Sequence, residues 1–280
     1  MSNNQNWYVT AASVAGKGHV ERDLPCQDAH HYTPAGRNWM VAAVADGAGS
    51  QTHSEYGSQL ACQQVVKLLS EAVVHHKWVQ TSTIPDTRSL NLVVSNIIVT
   101  VLAELNVKAA ELGVDIKSLA CTLMAVVGTE HGLFGFQVGD GRGCYLDNDG
   151  IWKPLFVPFR GEFANETIFL TSSPLIGGDI NEYVTVFRFE GEKLPFALLS
   201  DGCEMASFEC HIVDDETGHF SDPNRPFPGF FNPILHTLRS MADKNTPEVV
   251  NHNWAQFLDS GTERLSTESD DKTMLVAFWR

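Results

Sequence analysis

An α+β fold with mainly antiparallel sheets is predicted by three features of this 280-residue sequence. Strand-like runs begin and end the chain, two long amphipathic helices stand together early, and most remaining strands are joined by hairpin-length turns. The strict β-α-β alternation of a parallel sheet is missing. Two sheets packed together, with helix pairs outside, satisfy this order.

The elements follow in turn. "YVTAASVAG" (Tyr8–Gly16) and "NWMVAAVADG" (Asn38–Gly47) read as strands, short runs of small and β-branched residues stopped by glycine. "CQDAHHY" places Asp28 just before another. From Ser54 the period turns helical, with Leu60, Val65, Leu68, Leu69 and Val73 near one face. A second helix is expected from Asp86 to Leu112, apolar at Leu90, Val94, Ile97, Val101 and Leu105, with Gly113 as its stop. Strands are then expected in "ACTLMAVVGTE", "GLFGFQVGDGRGCYLD", "IWKPLFV", "ETIFLTS", "EYVTVFRF" and "FALLSDG". A short helix at Glu204 and two more, Asn232 to Asp243 and Pro247 to Leu258, precede the closing strand "KTMLVAFW". The stretches 157–178 and 207–231 read as surface excursions, the kind of loop that carries specificity.

Composition narrows the function. Hydrophobic residues make up 43% and charged residues 19%, ordinary for a globular chain, and one domain over 1–280 is expected. Nineteen Lys and Arg against 34 Asp and Glu give a net charge of −15. Nucleic acid and an anionic membrane are therefore poor partners, and an anionic substrate needs a metal or a few placed cations. The N-terminal stretch lacks the pattern of a signal peptide. Six scattered cysteines without a CxxC pair fit a reducing cytoplasm. A cytoplasmic monomer is the expectation.

The chemistry lies in a repeated syntax. "VAAVADG", "FGFQVGDG" and "FALLSDG" each run an apolar strand into Asp-Gly, at Asp46, Asp140 and Asp201. Asp28 precedes one strand, and Asp270 with Asp271 precedes the last. Asp-Gly is good hairpin chemistry, which explains any one of these. Five strand-end acids are harder to explain that way. Gathered together they repel one another, and a divalent cation relieves that repulsion. Carboxylates, a backbone carbonyl and water suit a hard ion, Mg²⁺ or Mn²⁺, and a glycine after the aspartate lets its carbonyl approach.

In these motifs the sequence resembles the metal-dependent protein phosphatases of type 2C, in a bacterial-looking variant. "CQDA", "VADGAGS", "ACTLMAVV", "VGDGRGCYL", "LLSDGCEM" and "DDKTMLVAF" follow the family's order over nearly the whole chain. The resemblance implies a four-layer αββα sandwich with a dinuclear centre of Mn²⁺ or Mg²⁺ at one end. By it, Asp46 bridges both metals, the Gly47 carbonyl binds one, and Asp201 and Asp270 bind the second. Asp28 holds a metal-bound water, Asp140 matches a ligand of a weaker third metal, Thr273 supports the Asp270 loop, and Asp271, where many relatives have Asn, is structural. A hydroxide held between the ions attacks phosphoserine or phosphothreonine directly. The implied partners are a phosphorylated protein and a serine/threonine kinase or its target.

Three departures stand out. Asp23 occupies the place of a phosphate-binding arginine, leaving Arg22 or His19 to replace that cation or the turn to be merely polar. Met205 stands where relatives have an aspartate for the third metal, with Glu204 adjacent but offset. Ala48 replaces a histidine that serves eukaryotic relatives as an acid, and the nearby His53 reads as a helix-start residue. "AASVAGKGH" fails as a nucleotide loop and "DNDGIW" as a calcium loop. The rival reading is a non-catalytic, phosphoprotein-binding relative of the same fold.

Overall fold

The structure is a computed structural model that describes residues 6–35, 38–159, 167–178, 180–210, 212–213, 218 and 220–280. The strands of its two large sheets are β1 (Trp7–Val14), β2 (Ala29–Pro34), β3 (Met40–Ala45), β4 (Leu123–Thr129) and β5 (Gly132–Val138). They continue as β6 (Arg142–Leu146), β7 (Trp152–Pro154), β8 (Thr185–Glu190), β9 (Phe196–Leu199) and β10 (Lys272–Trp279). The helices used below are α1 (Lys17–Glu21), α2 (Ser54–His75), α3 (Thr87–Leu112), α4 (Pro228–Lys244) and α5 (Pro247–Ser260).

Two five-stranded sheets result, ordered β1-β10-β9-β6-β7 and β2-β3-β4-β5-β8. All their pairings are antiparallel. The side-chain period of two explains why their central strands are apolar throughout. On β3, Val41, Ala43 and Ala45 join the core beneath α2 and α3, while Met40, Ala42 and Val44 face the other sheet. On β10, Met274, Val276 and Phe278 pack under α4 and α5, and Leu275 and Ala277 enter the inter-sheet core. The order of layers is helix, sheet, sheet, helix, the expected αββα sandwich.

The helices carry local signals. Asp86 caps α3 by accepting from the Ser89 N–H at 2.8 Å. Gly113 ends it in the left-handed region at φ 70°.

Three expectations need correction. "GLFGFQVGDGRGCYLD" is not one strand, because the Gly139–Gly141 turn carries the chain from β5 in one sheet to β6 in the other. "ETIFLTS" is irregular over residues 167–172, Glu166 lying outside the described residues. Ile168 and Leu170 are buried as a strand would bury them, but β3 and β5 already occupy both edges of β4. What remains is a backbone bond from Leu170 to Cys121. "IWKPLFV" keeps only three strand residues, Trp152–Pro154. Of the two excursions, residues 160–166, 211, 214–217 and 219 lie outside the described residues.

Candidate metal centre

Register alone gathers the motif aspartates. Ala29 pairs with Ala45 across β2 and β3, so Asp28 lies beside Asp46. Met274 pairs with Leu199 across β10 and β9, which sets Asp270 and Asp271 beside Asp201. Arg142 pairs with the same Leu199, bringing the Asp140 turn to that end. The first pair comes from one sheet and the second from the other, so the cluster straddles the sandwich.

The carboxylates feel one another. Burial, then the charges of Asp201, Asp28 and Asp270, holds the Asp46 carboxyl well above the usual carboxylate range. Asp201 is pushed up to about 7 by burial and then by Asp270. Asp28 is pushed up to about 8, chiefly by burial, against hydroxyl contacts from Ser200 and Thr273 that favour the anion. Burial also raises Asp140, where Glu204 raises it further and Arg142 lowers it. Asp46 and Asp201 lie close enough for each to bear on the other's titration. Asp201 keeps a buried oxygen, Oδ1, without a hydrogen-bond partner.

Such a cluster is short of positive charge, and its donors fit a hard divalent ion. Among the described residues no group of three or more His, Cys, Asp or Glu is placed to hold an ion by side chains alone.

The surroundings hold these groups in place. The Asp46 N–H donates to Thr122 Oγ1 at 3.0 Å, and the Thr122 N–H returns a bond to the Asp46 carbonyl. Ser200 Oγ donates to Asp28 Oδ2 at 2.6 Å and accepts from the Thr273 N–H at 2.9 Å. Asp271, 2% exposed, accepts from the Gly16 N–H at 2.9 Å and the Gln27 N–H at 2.6 Å. His19 Nδ1 lies 2.8 Å from Asp271 Oδ2, the oxygen that also accepts from Gln27. Gly16 and Gly47 are needed for close approach: a Cβ on Gly16 would lie 2.1 Å from the Asp270 carbonyl, and one on Gly47 2.5 Å from the Gln27 carbonyl.

The remaining candidates separate. Asp270 is exposed beside its buried neighbour Asp271. His19 is buried on Asp271, whereas Arg22 is exposed and its Nε donates to the Gly18 carbonyl at 2.7 Å. α1 meets the Asp270 loop through backbone bonds from Lys17 to Glu268 and Gly18 to Ser269. Met205 is 40% exposed. Glu204 instead lies near Asp201 and Asp140, and its Oε2 accepts from Arg142 Nε at 2.7 Å. Ala48 is buried, and His53 Nδ1 is 2.8 Å from Thr52 Oγ1.

Sequence reasoning gave no role to Thr122, Ser200 or Arg142. Arg142, 1% exposed, also donates to Asn224 at 2.7 Å and Asp222 at 2.8 Å, tying β6 to the 207–231 excursion. A lone arginine inside an apolar strand was the available signal, since a buried guanidinium needs anions around it.

The profile of the protein phosphatase 2C family matches residues 15–259. The serine/threonine-protein phosphatase 3 of Escherichia coli (strain K12) is 28% identical over 283 residues, covering 98% of this chain and 99% of that relative. Among solved structures, the catalytic domain of the serine threonine protein phosphatase PstP in complex with two manganese ions aligns with a TM-score of 0.52 at 19% identity, covering 98% of each chain. RsbX in complex with magnesium gives 0.51 at 13% identity, over 100% of this chain and 98% of the other. These structures share the fold. With the family profile running over most of its length, the chain belongs to the protein phosphatase 2C family.

Proposed function

We propose that this chain is an active protein serine/threonine phosphatase, one domain over 1–280, hydrolysing phosphoserine and phosphothreonine with two bound Mn²⁺ or Mg²⁺ ions. The observation that carries the reading is the convergence of Asp46, Asp201, Asp28 and Asp270 from two sheets into one electrostatically strained cluster. Asp46, the Gly47 carbonyl, Asp201 and Asp270 hold the ions, Asp28 orients a water among them, and Asp140 serves a weaker third ion. When bound, the ions supply a hydroxide for in-line attack and neutralise charge on the phosphoryl oxygens. Of the two candidate cations, Arg22 is the one exposed to an incoming phosphate, with a guanidinium suited to bidentate contact. Its name makes the Escherichia coli relative a phosphatase of serine and threonine, which supports a phosphoprotein substrate here. A cytoplasmic setting, opposite a serine/threonine kinase and away from nucleic acid and membrane, completes the reading.

The test is hydrolysis of a phosphothreonine peptide by metal-stripped protein titrated with Mn²⁺ and Mg²⁺, with Asp46→Asn alongside. Metal-dependent turnover that falls by about two orders of magnitude or more in the variant is expected, the scale of losing one electrostatic stabiliser. Metal binding without turnover would instead favour the non-catalytic, phosphoprotein-binding reading.

A further inference from the structure

Arg142 opens β6, two residues after Asp140. Cys144, the next side chain on that face of the strand, packs in the core under α4 and α5. The guanidinium therefore leaves the sheet on the same side, at the end where Asp140 and Asp201 stand. All three of its nitrogens are used. Nε donates to Glu204, three residues beyond Asp201, while Nη1 donates to Asn224 Oδ1 and Nη2 to Asp222 Oδ2. Its Cζ lies 5.4 Å from the centroid of the Phe208 ring, a cation–π contact.

These partners divide into two groups. Glu204 belongs to the metal-centre end, whereas Phe208, Asp222 and Asn224 belong to the 207–231 excursion and come from both of its limbs. The limbs are paired to each other, Phe208 with Pro226 and Glu209 with Arg225, then Ile212 with Ser221 and Val213 with Phe220. The returning limb is shaped to meet the guanidinium. Asn224 sits in the left-handed region at φ 47°, which asparagine enters more readily than most residues. Its N–H donates to Asp222 Oδ1 at 2.8 Å. Its amide works in two directions, with Oδ1 accepting from Arg142 and Nδ2 donating to the Phe156 carbonyl at 2.8 Å. A buried guanidinium is costly unless anions and acceptors surround it, and here two of its three hydrogen-bonding residues are drawn from a surface loop. That loop exposes apolar side chains, Ile212 at 43% and Val213 at 46%.

We propose that Arg142 is a positioning residue for the substrate. It clamps the 207–231 excursion to the end of the sheet that carries Asp140 and Asp201, so that Ile212 and Val213 meet the peptide around the phosphorylated residue. The inference rests on the phosphatase reading and adds how that site distinguishes a phosphoprotein from a small phosphate ester: a small ester reaches the metal centre without touching the excursion.

The test compares a phosphothreonine peptide with p-nitrophenyl phosphate, both at saturating Mn²⁺, on the full chain. Asn224→Gly is the cleanest variant, because glycine accepts the left-handed φ and only the side-chain bonds are lost. It should raise KM for the peptide about tenfold and change kcat/KM for p-nitrophenyl phosphate by less than about twofold, the mark of lost positioning rather than lost chemistry. Arg142→Lys, which keeps the charge but not the planar fork, should show the same split. Ile212→Ser combined with Val213→Ser should raise the peptide KM without lowering the Tm, since both residues are exposed. Parallel losses on the two substrates in Asn224→Gly would reduce Arg142 to a structural role and overturn the proposal, as would an unchanged peptide KM. An unmodified chain that turns over neither substrate overturns the phosphatase reading and this proposal with it.

Discussion

Asp270 and Asp271 are neighbours with opposite fates. One is exposed at the cluster, and the other is buried and spent on Gly16, Gln27 and His19. The buried Asp271 meets the Gly16 and Gln27 N–H groups, whereas Asp46 and Asp201 feel chiefly the other carboxylates, and Asp28 has the Ser200 hydroxyl against them. Their strain has a pH signature in the metal-free protein. Carboxylates titrate near 3.8 in the unfolded chain, but Asp201 is raised to about 7 and Asp28 to about 8 when folded. The folded state therefore holds protons that the unfolded state has released, and stability falls as pH rises through that window. His30 acts oppositely, lowered from 6.5 to about 4 by burial and by His31, but its contribution is complete above pH 6.5. Between about pH 6.5 and 8 the carboxylates set the slope. Chemical denaturation of metal-free protein across that range should show declining stability, with a shallower decline in Asp46→Asn. A rising or flat profile would contradict the mutual repulsion.

Among the elements, α1 was not foreseen. Five residues of helix, Lys17–Glu21, are laid against the loop that carries Asp270, and Gly16 is the contact point. Gly16→Ala would drive a methyl into the carbonyls of Asp270 and Ser269, at 2.1 and 2.3 Å. Backbone cannot yield as a flexible side chain does, so the helix and the loop must separate. A loss of about 1–3 kcal/mol is expected, the usual cost of overpacking. The Asp270 carboxylate should move with its loop, so more Mn²⁺ should be needed for half-activation, read by titrating turnover. Unchanged metal dependence would detach Asp270 from the site. The β5–β6 turn makes the same point about elements: one apolar run serves two sheets because Gly139 to Gly141 reverses it next to Asp140.

At the scale of the whole molecule, the candidate ligands join the two halves of the sandwich. Asp28 and Asp46 stand on the sheet under α2 and α3, and Asp201 and Asp270 on the sheet under α4 and α5. An ion held between them binds only the assembled fold, so it should stabilise the whole domain. Thermal unfolding should shift upward with Mn²⁺, by about 2.7 kcal/mol of stability at a hundred times Kd. Asp201→Asn should remove most of that shift. A Tm indifferent to Mn²⁺ in the unmodified chain would mean that the cluster does not load metal. The strand-end aspartates were readable beforehand because a period-two apolar run and the glycine that stops it are local signals, a few residues long. So were both long helices, whose stripes repeat over many turns. By itself, then, the sequence determined which carboxylates stand at strand ends, and its motif order pointed to the family. Tertiary structure decided the rest. It split β5 from β6, left residues 167–172 irregular, buried His19 on Asp271 and enclosed Arg142 among Glu204, Asp222 and Asn224. Those outcomes depend on register and on partners far away in the chain, because a side chain's surroundings are set by whichever strands and loops pack beside it.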